Sequence, residues 1–232
     1  MAGFSSLLRR ALAERLARGE SRAFATAELR GLPMDEASRM TRAGEQGFDT
    51  DVYHGTRFNV DAFDRRGMSQ EAGFGTHVGT PDQAEDIVRA RGVEARHTGE
   101  FSVGANVMPM KTRAKNFLRL EDDKTWTPDQ MASQLAWLDE PIHVKWRDPF
   151  NKTPEDVRRA IQEAGYDGIV YTNKFERPGV DSHIVFEPSD LRSRFAAFDP
   201  SRSQSGNILA GLAVAAPTAT LSLREALRDS GA

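Results

Sequence analysis

Three times in this chain a threonine is followed by proline, an acidic residue and a further polar residue: Thr80-Pro81-Asp82-Gln83, Thr127-Pro128-Asp129-Gln130 and Thr153-Pro154-Glu155-Asp156. Each is a helix start in chemical terms. The threonine hydroxyl can accept from an orphan backbone N–H, proline fits the first helical position, and the carboxylates sit at the positive end of the helix dipole. The third is followed by Val157, Ala160, Ile161 and Ala164 on one side, and Gly165 ends it. Short runs of β character lie around these helices: Asp51 to His54, Gly75 to Val78, Val107 to Lys111, Ile142 to Lys145, Ile169 to Thr172 and His183 to Phe186. Arg177-Pro178-Gly179 marks a turn between the last two. Helices and strands mixed without a regular β-α-β alternation predict an α+β fold rather than a doubly wound sheet.

The chain has 232 residues, one domain of ordinary size with room for appendages. Hydrophobic residues make up 39% and charged residues 28%, which excludes a wholly disordered or wholly membrane-embedded chain. Thirty-one basic against 34 acidic residues give a formal charge of −3, which argues against a dedicated nucleic-acid coat. The absence of cysteine removes disulfides, thiolate zinc sites and cysteine nucleophiles, and suits a reducing compartment. Arg9, Arg10, Arg15 and Arg18 break any continuous apolar leader, so no secretory signal is expected. The most apolar stretch, Ile208 to Ala216, is shorter than the about 20 residues that cross a bilayer, so no transmembrane segment is expected.

Over residues 4–18, Leu7, Leu8, Ala11, Leu12 and Leu16 recur at helical spacing with arginines on the other face, which predicts a basic amphipathic helix. A second helix capped by Asp35 should run to about Gln46 and stop at Gly47. The expected organisation is a helical arm over 1–50, a main domain over 51–200 and a tail over 201–232, with the first boundary near Phe48 to Asp51.

The histidines are the groups with most chemical potential. His54 follows a short strand in Tyr53-His54-Gly55-Thr56, where Gly55 is expected to leave room for a ligand. His77 lies in Gly75-Thr76-His77-Val78-Gly79-Thr80, just ahead of a helix start, and His183 lies in a strand ahead of Glu187; His97 and His143 have no comparable surroundings. The histidines lack H-E-x-x-H spacing and a thiol partner, so no metal is expected. Neither G-x-S-x-G, nor G-x-G-x-x-G after a strand, nor G-x-x-x-x-G-K-[ST] occurs, so a nucleotide would be held without the familiar phosphate loops.

Tyr53-His54-Gly55-Thr56, the Gly75 to Pro81 segment leading into Ala84-Glu85, and Asp181-Ser182-His183-Ile184-Val185-Phe186 resemble the three motifs of ADP-ribosyltransferases of the diphtheria-toxin and poly(ADP-ribose) polymerase type. The likeness is nearest to the ADP-ribosyltransferase-like domains of phage and prophage polyvalent proteins. Those also carry stretches similar to Asn116 to Leu120 with Trp126-Thr127-Pro128, to Gly165 to Tyr171, and to Phe186 to Leu191, so the resemblance spans about Val52 to Phe198. It implies a split β-sheet around a cleft that takes NAD as substrate. By position it gives His54, with Gly55 and Thr56, the adenosine-side ribose, and His77 the place of the aromatic that stacks on nicotinamide.

At the third motif the chain departs from the pattern, because Ser182 holds the place of the catalytic glutamate and Asp181 precedes it. Breaking the nicotinamide glycosidic bond builds oxocarbenium character, which a nearby carboxylate stabilises. Serine supplies no such charge. The candidates for the catalytic role are therefore Asp181, if a bulge turns it inward, Ser182 itself, and Glu187, which shares the face of Asp181 and His183 in a regular strand. The resemblance implies a phage-encoded ADP-ribosyltransferase acting on a host protein or nucleic acid in the bacterial cytoplasm. Its alternatives are an RNA 2′-phosphotransferase, which uses a second-motif histidine, and an inactive fold serving as a virion or ejected protein that docks through residues 4–18 and the C-terminal tail.

Overall fold

The structure, a computed structural model, describes Ala11, Glu14, Arg15, Arg18, Ala25, Ala27, Glu28 and residues 31–56, 60–63, 73–98, 105–123, 125–175 and 177–209, with 91–98 described as helical backbone alone. Its contacts divide the chain into two units, 1–32 with 211–232, and 33–210. In the first, Ala11, Glu14, Arg15, Ala25, Ala27 and Glu28 are helical, and Arg15 pairs with the Glu28 carboxylate. Most of the amphipathic segment 4–18 and the tail beyond Leu209 lie outside the described residues.

The second unit is a mixed α+β structure with two sheets, as its interleaved helix starts and β runs predict. It begins with helix α1 (Glu36–Glu45), whose N-cap Asp35 accepts from Ser38 N–H at 2.9 Å and beyond whose end Gly47 turns the chain with φ of 80°. This helix is not part of an arm. Arg42 Nε donates to Ala197 O at 2.9 Å and Gln46 Nε2 to Phe198 O at 2.7 Å, while Ala43 and Phe48 are buried with Ala196 and Phe198. The boundary expected near residues 48–51 therefore falls inside the unit, because Phe48 packs on Phe198 with ring centroids 5.6 Å apart.

One sheet has the order β1 (Thr50–Thr56), β3 (Asn106–Thr112), β7 (Leu191–Ser193), all antiparallel. The other has the order β2 (Thr76–Val78), β6 (Asp181–Val185), β5 (Gly168–Thr172), β4 (Phe117–Arg119), antiparallel except for β4 with β5. An isolated pair joins them: Tyr53 and Gly79 exchange both backbone hydrogen bonds at 2.9 Å, so β1 touches the chain just after β2. Helices α2 (Pro81–Thr98), α3 (Pro128–Ala136) and α4 (Pro154–Glu163) start at the three Thr-Pro sites. Gly165, with φ of 93°, follows α4 as the sequence leads one to expect.

Two apolar cores lie against the sheets. Phe74, Leu118, Trp126, Met131, Leu135, Val157, Ile161, Ile169, Tyr171, Ile184 and Phe186 form one, and Val52, Phe63, Val78, Met110, Val185 and Leu191 belong to the other. Burying each large apolar side chain contributes about 1.5–3 kcal/mol. Alternate residues of β6 serve alternate cores, Ile184 the first and Val185 the second. The stretch Ile142 to Lys145, expected as a strand, is not one. Ile142, Val144 and Trp146 do alternate inward onto the first core, but Lys145 O accepts from the Arg159 guanidinium at 2.9 Å and the segment joins no ladder. Strands β4 and β7, three residues each, carry too short a pattern to announce themselves. No helix among the described residues is long and apolar enough to cross a membrane.

Candidate functional site

The histidines of the first two motifs meet through a backbone carbonyl. His54 Nδ1 lies 2.8 Å from His77 O, and because a carbonyl can only accept, Nδ1 carries the hydrogen. In the neutral imidazole Nε2 is then an acceptor, suited to a hydroxyl. The His54 ring packs edge-on to Phe63, centroids 5.1 Å apart, and Thr56 is buried two residues along the same strand. The His77 ring turns the other way. Its Nδ1 lies 3.1 Å from Tyr171 Oη, and Trp126 and Tyr171 pack around it with centroids at 6.1 and 6.2 Å. The first two motifs are thus in contact, while their rings point toward different cores.

Trp126 is held at φ of 42°, a left-handed conformation that costs a non-glycine residue on the order of 1–3 kcal/mol. What holds it is packing and capping. Its indole is buried, its ring lies 4.7 Å from that of Tyr171, and Thr127 next to it caps α3.

The glycines of the motifs serve close backbone approach rather than ligand space. A Cβ on Gly55 would lie 2.2 Å from Ala84 O, in the first turns of α2, so the room expected for a ligand there is filled by the helix. On Gly75 it would meet Val185 O at 2.4 Å, and on Gly168 Ile184 O at 2.3 Å. On Gly79 the obstacle is a side chain, Gln83 Oε1 at 2.3 Å.

Register places the third-motif residues on two faces. His77 is opposite Ile184 and Tyr171 opposite Ser182, so Ser182 shares the face of His77 and Tyr171. It is buried, and its Oγ accepts from Gln83 Nε2 at 2.8 Å and from Asn173 Nδ2 at 3.3 Å. Asp181 points to the opposite face, since its pairing with Thr172 is regular and no bulge turns it inward. There it accepts from Arg119 Nη1 at 3.1 Å and Thr172 Oγ1 at 2.8 Å. The hydrogen bonds from Arg119 in particular lower its carboxyl to about 2. Glu187 accepts from Gln162 Nε2 at 3.0 Å, on α4. His183 shares the Asp181 face, its ring 4.8 Å from that of Phe117, and burial lowers its pKa.

Compared with protein-family models, with curated proteins and with solved structures, the chain matches none. Its site is therefore read from its own residues. The structure brings His54 to the backbone of His77 and puts Ser182 on the face of the His77 ring, but turns the His54 ring, with Thr56 on its strand, toward the other core, and it leaves Asp181 and Glu187 apart from them. Four residues of the site were missed from sequence: Gln83, Tyr171, Asn173 and Trp126. Gln83 could have been found, because it is the third residue of a helix that Thr80 caps, and a glutamine there reaches back toward the cap. Tyr171 follows from strand alternation once β5 and β6 are paired. Asn173 lies just beyond β5 and carries no such signal.

Proposed function

We propose that the protein is a phage-encoded, NAD-binding member of the ADP-ribosyltransferase-like proteins, built on a split sheet and directed at a host macromolecule. The observation that carries this reading is the adjacency of the three segments in the sheets: His54 bonded to the backbone carbonyl of His77, and Ser182 on the face of the His77 ring, with the His54 ring itself turned to the other side. The donors and acceptors suit NAD in kind. The Nε2 atom of His54 can accept from a ribose hydroxyl, the half-buried His77 ring, backed by Tyr171 and Trp126, offers aromatic surface for nicotinamide, and Ser182 offers a hydroxyl. The test is a thermal melt of the whole chain with NAD, since a ligand that binds only the folded state stabilises it by about 2.7 kcal/mol at 100 times its dissociation constant. NAD should raise the melting temperature and His54→Ala should abolish the rise. An equal rise in the variant would place NAD elsewhere.

A second reading, that the site binds without transferring, is favoured by the same geometry. Developing positive charge at the ribose calls for a carboxylate, yet Ser182 is held by two neutral amides and Asp181 is committed to Arg119 on the other face. Such a protein would act by docking, as a virion or ejected component. Ser182→Glu separates the two readings. Nicotinamide release that rises in this variant marks a cleft competent but for its charge, and release that stays absent despite NAD binding marks a structural role.

A further inference from the structure

Resting on the reading that NAD occupies this cleft, the hydrogen bonds around Ser182 can be accounted for atom by atom. Gln83 is buried at the start of α2, and its Oε1 accepts from Thr80 N–H at 2.8 Å. Its Nε2 has two hydrogens and two acceptors, Ser182 Oγ at 2.8 Å and Val180 O at 3.3 Å. A glutamate here would keep the bond from Thr80 but turn an oxygen toward the Val180 carbonyl, so the position calls for an amide. Asn173, also buried, gives Nδ2 to Ser182 and accepts from Phe175 N–H with Oδ1 at 2.8 Å. A serine hydroxyl has one hydrogen to donate and two lone pairs to accept with. Both lone pairs of Ser182 are engaged by amides, so what it can offer a ligand is its hydrogen.

We infer that Ser182, fixed by Gln83 and Asn173, is a donor to an uncharged acceptor oxygen of the bound dinucleotide, a ribose hydroxyl, and that the position retains NAD instead of splitting it. With both lone pairs occupied, Ser182 serves as neither nucleophile nor general base. Two amides donating to the same oxygen polarise the O–H and strengthen the donation that remains. Gln83 is the positioning residue: it is reached from the second motif, and it fixes the polarity of the third.

The experiment uses the full chain, with NAD and ADP-ribose as probes, calorimetry for affinity, chromatography for free nicotinamide, and side-chain amide resonances in ¹⁵N-labelled protein. Saturating NAD should shift the Gln83 and Asn173 side-chain amide signals of the wild type and release no nicotinamide. Ser182→Ala removes the donor and Gln83→Glu redirects it onto the new carboxylate, so each should weaken NAD about tenfold or more. Only the second loss should shrink on acidification, as the carboxylate takes up a proton. ADP-ribose, which lacks the carboxamide, should show the same dependence on Ser182. If it shows none, the acceptor is not the sugar. NAD bound by the wild type with unmoved amide signals, with wild-type affinity in both variants, or with steady nicotinamide release would overturn the inference and leave NAD binding standing. No binding of NAD by the wild type would overturn both. The amide signals belong to the wild type, so they decide the matter even where a variant does not fold.

Discussion

The tetrapeptide Thr-Pro-Asp-Gln occurs twice, at 80–83 and at 127–130, and the two copies have become different things. At 127–130 it is a helix cap at the surface: Thr127 accepts from Gln130 N–H, Gln130 returns to the Thr127 backbone at 3.3 Å, and Gln130 itself is exposed. At 80–83 the same exchange takes place, with Thr80 Oγ1 accepting from Gln83 N–H at 3.3 Å, but the glutamine is buried and its free end reaches Ser182 and Val180. The difference is made one residue upstream. Gly79 has no side chain to occupy the place of the Gln83 amide, whereas the corresponding Trp126 sends a buried indole into the core from a left-handed backbone. Identical local chemistry thus acquires a role in the site only where its neighbour makes way and a strand presents something to bind.

The sharpest way to break this comparison is to remove both glutamines. Gln83→Ala leaves the Thr80 N–H without its acceptor, takes one of two donors from the Val180 carbonyl, which keeps the N–H of Asn173, and opens a cavity, so it should cost about 3 kcal/mol. That corresponds to about 10 °C in the melting temperature of a domain of this size. Gln130→Ala, which gives up a cap to water, should cost about 0.5–1 kcal/mol. Equal losses in calorimetric melts would mean that the two copies are one device after all.

A smaller effect tests the upstream residue. In Gly79→Ala the new methyl would stand 2.3 Å from Gln83 Oε1 and push the amide off Ser182. Overpacking of this kind costs about 1–3 kcal/mol. Combined with Gln83→Ala, the glycine change should become nearly silent, since the atom it collides with is gone. Additive losses in that double-mutant cycle would refute the idea that Gly79 exists to admit Gln83.

The smallest effect sets the buried neutral network against an exposed ionic one. Arg119 and Asp181 are 57% and 41% exposed, so Asp181→Asn should cost less than about 1 kcal/mol, and less still in high salt. The pair also predicts a pH dependence. Because the folded carboxyl titrates at about 2 against an ordinary 3.8, its contribution is present above pH 4 and is lost as pH falls through 2. His183, lowered by burial, has the same sign at higher pH: its contribution declines as pH falls below 6.5, where the unfolded chain takes up the proton first. Acid melts of Asp181→Asn should lack the first decline and keep the second. The penalty of Gln83→Ala should persist through both.

These contrasts also show what can be read from sequence and what cannot. The three helix starts and the end of α4 at Gly165 are written locally, in caps, a fixed proline φ and a glycine, and the structure has them where they are written. Alternation alone showed that Asp181 and Ser182 face opposite ways, and the register agrees. Alternation failed over Ile142 to Lys145, where it answers to a core surface and not to a neighbouring strand. Gly55 was misread because a glycine that admits a ligand and one that admits a helix look alike until the helix is placed. The boundary near Phe48 was misplaced because the partners of α1, Ala197 and Phe198, are some 150 residues away in the chain.

The strand order of the second sheet governs when the site can exist during synthesis. Among the described residues β2 forms its ladder with β6, His77 against Ile184, so more than a hundred residues must leave the ribosome before that ladder can close. At about 5–20 residues per second, a nascent chain spends several seconds or more with His77 made and no partner for its strand. Pairing across so long a span also meets the loop-closure cost that slows non-local sheets. The pairing of β2 with β6 is consequently a late product of folding, and a chain truncated ahead of Asp181 would make His54 and His77 and never bring them to Ser182.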